Sequence, residues 1–95
     1  MVMAEARFTG DIVASHGYAA IVADFDPRRE WNSEPVSLGS GRDGYRVRGT
    51  LGGAPFRGVM VADASAWWIV LTEEDLGEAG IAIGDSVTVT AEPDA

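Results

Sequence analysis

Residues 45–61, YRVRGTLGGAPFRGVMV, contain the clearest pattern in the chain. Apolar and polar side chains alternate from residue 45 to residue 51, which is typical of a strand with one buried face. The next two residues, Gly52 and Gly53, suit a two-residue hairpin turn that needs positive φ. Residues 56–61 then return as a second strand. We predict a β-hairpin whose first strand has an inner face of Tyr45, Val47, Gly49 and Leu51.

The register of this hairpin brings two arginines together. If the two glycines form the loop, Leu51 pairs with Ala54, and Arg48 lies directly opposite Arg57. Like charges in directly opposed positions destabilise a sheet. We therefore predict that a negatively charged side chain lies between the two guanidinium groups.

Similar strand patterns occur on both sides of the hairpin. Alternation and turn residues predict further strands at 6–14, 18–25, 66–71 and 86–92. Asp26 and Pro27 indicate a helical turn at 28–31, and Thr72 begins a short helix at 73–78 that stops at Gly80. Residues 32–43, rich in Ser, Gly and Pro, are predicted to be a long loop, and 93–95 a frayed tail.

The spacing of these elements predicts the fold class. An open sheet of so many strands would leave unpaired edges that invite aggregation. We therefore expect an all-β fold, a small closed or nearly closed barrel of about six strands with one short helix. At 95 residues, the chain is expected to form a single domain, 1–95.

Composition excludes several classes of function. The sequence has no cysteine and one histidine, which rules out thiolate metal sites, disulfides and cysteine nucleophiles. Carboxylates do not occur at a spacing suited to a metal, and the run 73–75 suits the start of a helix. We expect neither a cofactor nor a metal.

Charge is distributed unevenly along the chain. The net charge is −8, and residues 61–95 contain eight acidic residues and no basic one. This balance disfavours nucleic acid and anionic membrane surfaces as partners. The sequence contains neither a signal-peptide pattern nor a long apolar run, and the expected location is cytoplasmic.

Three segments, 8–13, 47–57 and 80–89, together carry a family resemblance. Their order resembles an uncharacterised family of small bacterial β-barrel domains, some of which are fused to a helical YdeI/OmpD-associated domain. That family is similar in fold to the double-split barrels of the AbrB and MazE type. The resemblance covers residues 6–92 and implies a barrel, but it implies no activity.

Arg46, Arg48 and Arg57 are the sharpest candidate site. Three guanidinium groups on one sheet face can bind a carboxylate or phosphate in a bidentate manner. Alternatively, they pair with acidic side chains on neighbouring strands. His16 is a candidate general base, or an exposed residue of the turn after the first strand.

Aromatic residues supply a second candidate site. We predict that an apolar ligand pocket inside the barrel is lined by Tyr18, Trp31, Arg48, Met60 and Trp68. The alternative is that these side chains only fill the core. Because neighbouring residues on a strand face opposite ways, only one of Trp67 and Trp68 points inward. The other must cover a helix, the 32–43 loop or a second subunit.

Two functions follow from these features. The first is a non-enzymatic binding or interaction domain that uses the exposed tryptophan and the acidic C-terminal third against a protein partner. The alternative is a protein with a pocket for a small apolar molecule, or a catalyst acting by shape alone, such as a cyclase of a secondary metabolite. Either a monomer or a homodimer is compatible with the sequence. Net charge disfavours a third hypothesis, a transcription factor of the AbrB type.

Overall fold

The structure, a computed structural model, describes residues 5–15, 18–39, 41–63 and 65–94. This part of the chain forms seven strands and two short helices. The strands are β1 Ala6–Ser15, β2 Tyr18–Ala23, β3 Val36–Gly39, β4 Arg42–Leu51, β5 Ala54–Asp63, β6 Ala66–Leu71 and β7 Ser86–Pro93, and the helices are α1 Pro27–Glu30 and α2 Glu73–Ala79.

Six of the strands close into an antiparallel barrel. Their order is β4-β5-β6-β2-β1-β7, and β7 pairs back onto β4. β3 is additional and pairs with the first residues of β4, where Val36 lies opposite Gly44. The same edge of β4 is therefore shared by β3 at its start and β7 at its end. The predicted all-β closed barrel is confirmed.

The central hairpin has the predicted register. Leu51 pairs with Ala54, and Arg48 lies opposite Arg57. Gly52 and Gly53 have φ angles of 59° and 91°, in the left-handed region where a β-carbon is strained. The turn prediction is thus confirmed at the level of individual pairs.

Both helices begin at side-chain caps. The carboxylate of Asp26 accepts a hydrogen bond from the Arg28 N–H at 2.9 Å, and Pro27 is the first residue of α1. At α2 the Thr72 hydroxyl accepts from the Asp75 N–H, and the Asp75 carboxylate accepts from the Thr72 N–H. These reciprocal bonds satisfy two amide groups that lack partners inside the helix. Both predicted helical segments are confirmed. The fold has two short helices where one was expected, because the helical turn predicted after Asp26 is itself a helix, α1.

The predicted loop at 32–43 is wrong in its second half. β3 occupies residues 36–39, and β4 begins at Arg42. The backbone groups of β3 are satisfied by pairing with β4, which is a contact that local composition does not reveal. The second strand is also shorter than predicted, since β2 ends at Ala23.

Side chains fill the barrel interior. Every second residue of a barrel strand faces inward, and most of these inward-facing side chains are buried. Leu76, Ala79 and Ile81, on and after α2, pack against this core from one end. The largest buried strand side chains are Ile12, Ile21, Val47, Leu51, Met60, Ile69, Leu71 and Val89.

The seam between β4 and β7 is unusually close at one glycine. A β-carbon on Gly49 would lie 1.8 Å from the carbonyl oxygen of Thr90. Next to it, the hydroxyl groups of Thr50 and Thr90 are hydrogen-bonded at 2.7 Å. Closure of the barrel therefore requires a residue without a side chain at position 49.

Gly49→Ala is expected to lower the free energy of unfolding by about 1–3 kcal/mol, because β7 must move away from β4. The matched control is Gly77→Ala on α2, where a β-carbon would meet nothing within 4 Å. That change is expected to raise stability by about 0.5–1 kcal/mol, the usual gain for alanine in a helix. Urea unfolding of both variants measures the change in the free energy of unfolding. Equal changes in the two variants would contradict the conclusion that closure requires a glycine at position 49.

Candidate functional site

Two of the predicted arginines meet two carboxylates on the outer surface. The Nε of Arg48 lies 3.1 Å from a carboxylate oxygen of Glu92. Asp94 lies between the arginines, 3.9 Å from an Nη of Arg48 and 3.7 Å from the Nε of Arg57. The predicted negative side chain between the opposed arginines is therefore Asp94. We call these four residues the ion cluster.

The end of β7 positions this carboxylate. Pro93 pairs with Val47, and the N–H of Asp94 donates to the carbonyl oxygen of Arg46 at 2.8 Å. The predicted fraying of the tail is therefore wrong for Pro93 and Asp94, and Ala95 lies outside the described residues. Sequence reasoning missed Asp94 because its place beside Arg48 depends on the pairing of β7 with β4.

The third predicted arginine is separate from the ion cluster. Arg46 faces outward on β4, opposite Val59 of β5, and is exposed. Within the described ranges it forms no ion pair, whereas Arg48 and Arg57 already contact carboxylates. An external anion at Arg48 or Arg57 would have to compete with Asp94 and Glu92. Binding of an anion by the three arginines stays a prediction.

Asp94→Asn is expected to lower the free energy of unfolding by up to about 1 kcal/mol at low salt, a value reduced by the exposure of the arginines. Most of this loss is expected to vanish near 1 M salt, where the screening length is about 3 Å. In an Arg57→Gln background the cost is smaller, since the opposed like charge is gone. Asp24→Asn, at an exposed position, is the control. An Asp94 effect equal to that control would contradict this interpretation.

The five predicted ligand residues do not line one cavity. Met60 is fully buried in the barrel interior, and Trp31 is half-buried at one end. Arg48 belongs to the ion cluster, and Tyr18 and Trp68 face outward on β2 and β6. The predicted shared interior is therefore wrong for Tyr18, Arg48 and Trp68. Whether any of the five binds a ligand stays a prediction.

The two adjacent tryptophans face opposite ways, as strand alternation requires. Trp67 packs against the core, with its ring centroid 5.4 Å from that of Tyr45. Trp68 pairs with Val22 and Val61 on the outer surface. Strand alternation predicts that the two rings face opposite sides of the sheet. It does not predict which ring points inward, because residues 66–71 are apolar on both faces.

A ladder of aromatic rings, in which three of the four neighbouring pairs meet edge-on, fills the end of the barrel opposite α2. Neighbouring ring centroids are 5.4–5.9 Å apart, a spacing typical of favourable aromatic pairs. The Tyr45 hydroxyl donates to the carbonyl oxygen of Ser33 at 2.5 Å. Burial raises the pKa of Tyr45, while the nearby Arg28 guanidinium acts in the opposite direction. In order, the aromatic ladder is Phe8, Phe25, Trp31, Tyr45 and Trp67.

Apolar side chains also cover part of the outside of the barrel. Two rows run across the strands in register, and Val13 in one row and Val22 in the other are 37% and 38% exposed. Tyr18, next to these rows on β2, is 46% exposed. Contiguous apolar surface of this kind marks an interaction site more often than isolated exposed residues do. We define the outer apolar face as Val13, Tyr18, Ala20, Val22, Val59, Val61, Trp68 and Val70, of which Ala20 and Val61 are buried.

Two open grooves lie at the α2 end of the molecule. The apolar groove has a volume of about 590 Å³, with Glu73 as its charged residue. It is lined mainly by Ala14, Tyr18, Ala19, Leu71, Leu76 and Ile83. The second groove, of about 540 Å³, is lined by Arg48, Arg57 and Glu92 of the ion cluster together with Glu74, Asp75 and Glu78. Ligand-sized space therefore lies at the surface rather than in the packed interior.

Other candidate chemistry finds no support within the described ranges. There, no three metal-ligating side chains come together, and no helix is long and apolar enough to cross a membrane. His16 lies outside the described residues, so its predicted role as a base or turn residue is not addressed by the structure.

Comparison with known proteins places the chain in a family. Residues 8–90 match the model of a domain of unknown function, DUF1905. No curated protein matches the sequence. Because the match covers most of the chain, the protein belongs to the DUF1905 family.

Proposed function

We propose that this DUF1905 domain is a non-enzymatic interaction domain that binds a protein partner through its outer apolar face. The observation that carries the proposal is the continuity of this face across β1, β2, β6 and β5. The packed interior supports the same conclusion, because buried side chains occupy the space that an enclosed ligand would need.

The composition of the outer apolar face suits a protein partner. Trp68 lies near its centre, flanked by valines on both neighbouring strands. Tryptophan is enriched among the residues that contribute most to the affinity of protein interfaces. β-Branched side chains lose little conformational freedom on binding, which lowers the cost of association. An apolar sheet surface of this kind can therefore bind another protein at a low cost in conformational freedom.

Charge supports the choice of a protein over a nucleic acid. In the groove at the ion cluster, five carboxylates outnumber the two arginines, and this net negative charge repels a phosphate backbone. The same carboxylates favour a partner that has basic residues at that margin. We place this binding role in the cytoplasm.

The family resemblance extends the proposal. Barrels that this sequence resembles occur in bacteria, in some cases joined to a helical YdeI/OmpD-associated domain. In such a fusion, a second domain would lie next to the barrel. An interaction surface on the outside of the barrel fits that arrangement.

A photo-crosslinking amino acid at Val22, on the outer apolar face, tests the proposal in host cells. The control position is Thr88, which is exposed on β7 on another side of the barrel. We expect a product of defined mass from position 22 and none from position 88. Adding Val70→Asp, on the same face but on β6, should abolish the product, because a carboxylate there would have to be desolvated.

Equal crosslinking from both positions would contradict the proposal, as would a product unaffected by Val70→Asp. Circular dichroism of the Val70→Asp variant checks that the barrel still folds. Val70 is half-buried on the outside, so its replacement leaves the packed interior intact.

The apolar groove at the α2 end favours a second candidate function, binding of a small apolar molecule. Its volume of about 590 Å³ is within the range of ligand sites, and Tyr18 supplies a hydroxyl group at its wall. A catalyst acting by shape, such as a cyclase, would use such a groove to hold a folded substrate. Tyr18 is the residue of the predicted ligand set that lines this groove.

Native mass spectrometry of the protein purified from its host tests this second function. A bound molecule is expected to add a stoichiometric mass of a few hundred daltons. Leu76→Glu, which places a charge in the groove, should remove that mass, whereas Val22→Asp on the outer apolar face should not. A protein with no added mass, or an added mass that Leu76→Glu leaves in place, would contradict this candidate.

A further inference from the structure

We propose that the partner of the outer apolar face is a second copy of this chain, related by a two-fold axis that runs along β6. This inference rests on the proposed function, since it names the occupant of the same face. Three observations carry it: the position of β6 in the sheet, the register of the apolar rows, and the charges at the two margins.

β6 carries Trp68 and Val70 and lies between β2 and β5, which hold five of the other six residues of the face. Beyond these strands lie β1 on one side and β4, with β3 at its edge, on the other. A two-fold axis parallel to β6 therefore places β1 of one copy over β4 of the other, and β2 over β5. Such an isologous contact uses the same patch on both subunits, which is the commonest arrangement in soluble oligomers.

The apolar rows match themselves under this operation. Across β2, β6 and β5, one row is Ala20, Val70 and Val59. In the dimer, Val70 meets its own copy at the axis, and Val59 lies over the small Ala20, which is only 3% exposed. The neighbouring row places Val22 over Val61 and brings the two Trp68 rings together at the axis.

Charges at the two margins are complementary in the same arrangement. Asp11 is exposed on β1, on the same face as Val13. Arg42 and Arg46 are exposed on β4, on either side of Gly44, and Arg42 also borders a groove with Tyr18 and Val70. None of the three charged residues has an ion pair within the described part of the chain.

The two-fold axis along β6 brings these opposite charges together. Asp11 of one copy then lies near the margin of the second copy that carries Arg42 and Arg46, beside the Leu38 side chain that packs over Gly44. An axis perpendicular to the strands would instead place Asp11 over its own copy and arginines over arginines. Charge complementarity therefore selects the axis along β6.

The size of the face predicts a reversible dimer. Five strands spaced about 4.8 Å apart and three rows of residues give a footprint of roughly 20 by 20 Å. This is about half of the ~800 Å² per partner found in stable interfaces. We therefore expect dissociation constants in the micromolar range, with monomer and dimer both populated at accessible concentrations.

Sedimentation velocity of the full chain from about 1 µM to 1 mM, the range in which such small interfaces dissociate, measures the dimer. We expect Val70→Asp to abolish dimerisation, because the change occurs twice at the axis. The matched control is Thr88→Asp, at an exposed residue of β7 on another side of the barrel. That variant should dimerise like the unmodified protein. A chain that is monomeric at all concentrations would overturn the proposal.

Charge reversal tests the axis without affecting the apolar rows. Asp11→Arg and Arg46→Glu are each expected to weaken the dimer about three- to tenfold, and the double variant should recover most of that loss. Arg29→Glu, on the exposed surface of α1, controls for net charge. Purely additive losses in the double variant would overturn the two-fold axis along β6.

The outcome for the dimer is separable from that for the interaction domain. A monomeric chain that still crosslinks from position 22 to a different protein, in a manner lost in Val70→Asp, overturns the dimer and keeps the interaction domain. A monomeric chain that gives no such product overturns both. A dimer that Val70→Asp dissociates supports both.

Discussion

The pairing of β4 with β7 is the contact on which the rest of the structure depends. It converts a row of strands into a closed barrel, and it is possible because Gly49 lets the Thr90 backbone approach. Without this seam, both strands would present unpaired edges to solvent. The seam also extends past the barrel wall, where Asp94 reaches the two opposed arginines of the central hairpin. One backbone contact thus closes the fold and neutralises the unfavourable charge pair that the hairpin creates.

Closure also determines where function can lie. A six-stranded barrel has room inside for little more than its own side chains. Here, Met60 and its neighbours occupy that room, the aromatic ladder fills one end, and α2 packs against the other. The apolar residues that remain, Trp68 and Val70 among them, lie outside. A domain built in this way is better suited to binding another surface than to enclosing a substrate.

Local signals in the sequence predicted most of the fold, and non-local pairing accounts for what they missed. The Gly52-Gly53 turn and the Thr72 cap depend on neighbouring residues, so their patterns are visible in the sequence. β3 depends on an edge supplied by β4, and its Ser- and Gly-rich surroundings look like loop. Which tryptophan of the pair points inward depends on the residues that β6 meets across the sheet. The prediction that Trp68 lines the interior is wrong, because Trp67 is the one that packs against the core. The candidate binding surface therefore lies on the outside of the barrel and not in its interior.

The acidic character of the chain bears on how two copies can meet. At a net charge of −8, two chains repel one another at long range, and that repulsion is screened over about 8 Å at physiological salt. Stable association therefore requires a contact from which most carboxylates are absent. The outer apolar face meets this requirement, because Asp11 lies at one margin and Arg42 and Arg46 at the other. In the proposed dimer, repulsion between the remaining surfaces would disfavour other orientations, so the net charge would restrict the geometry of association without preventing it.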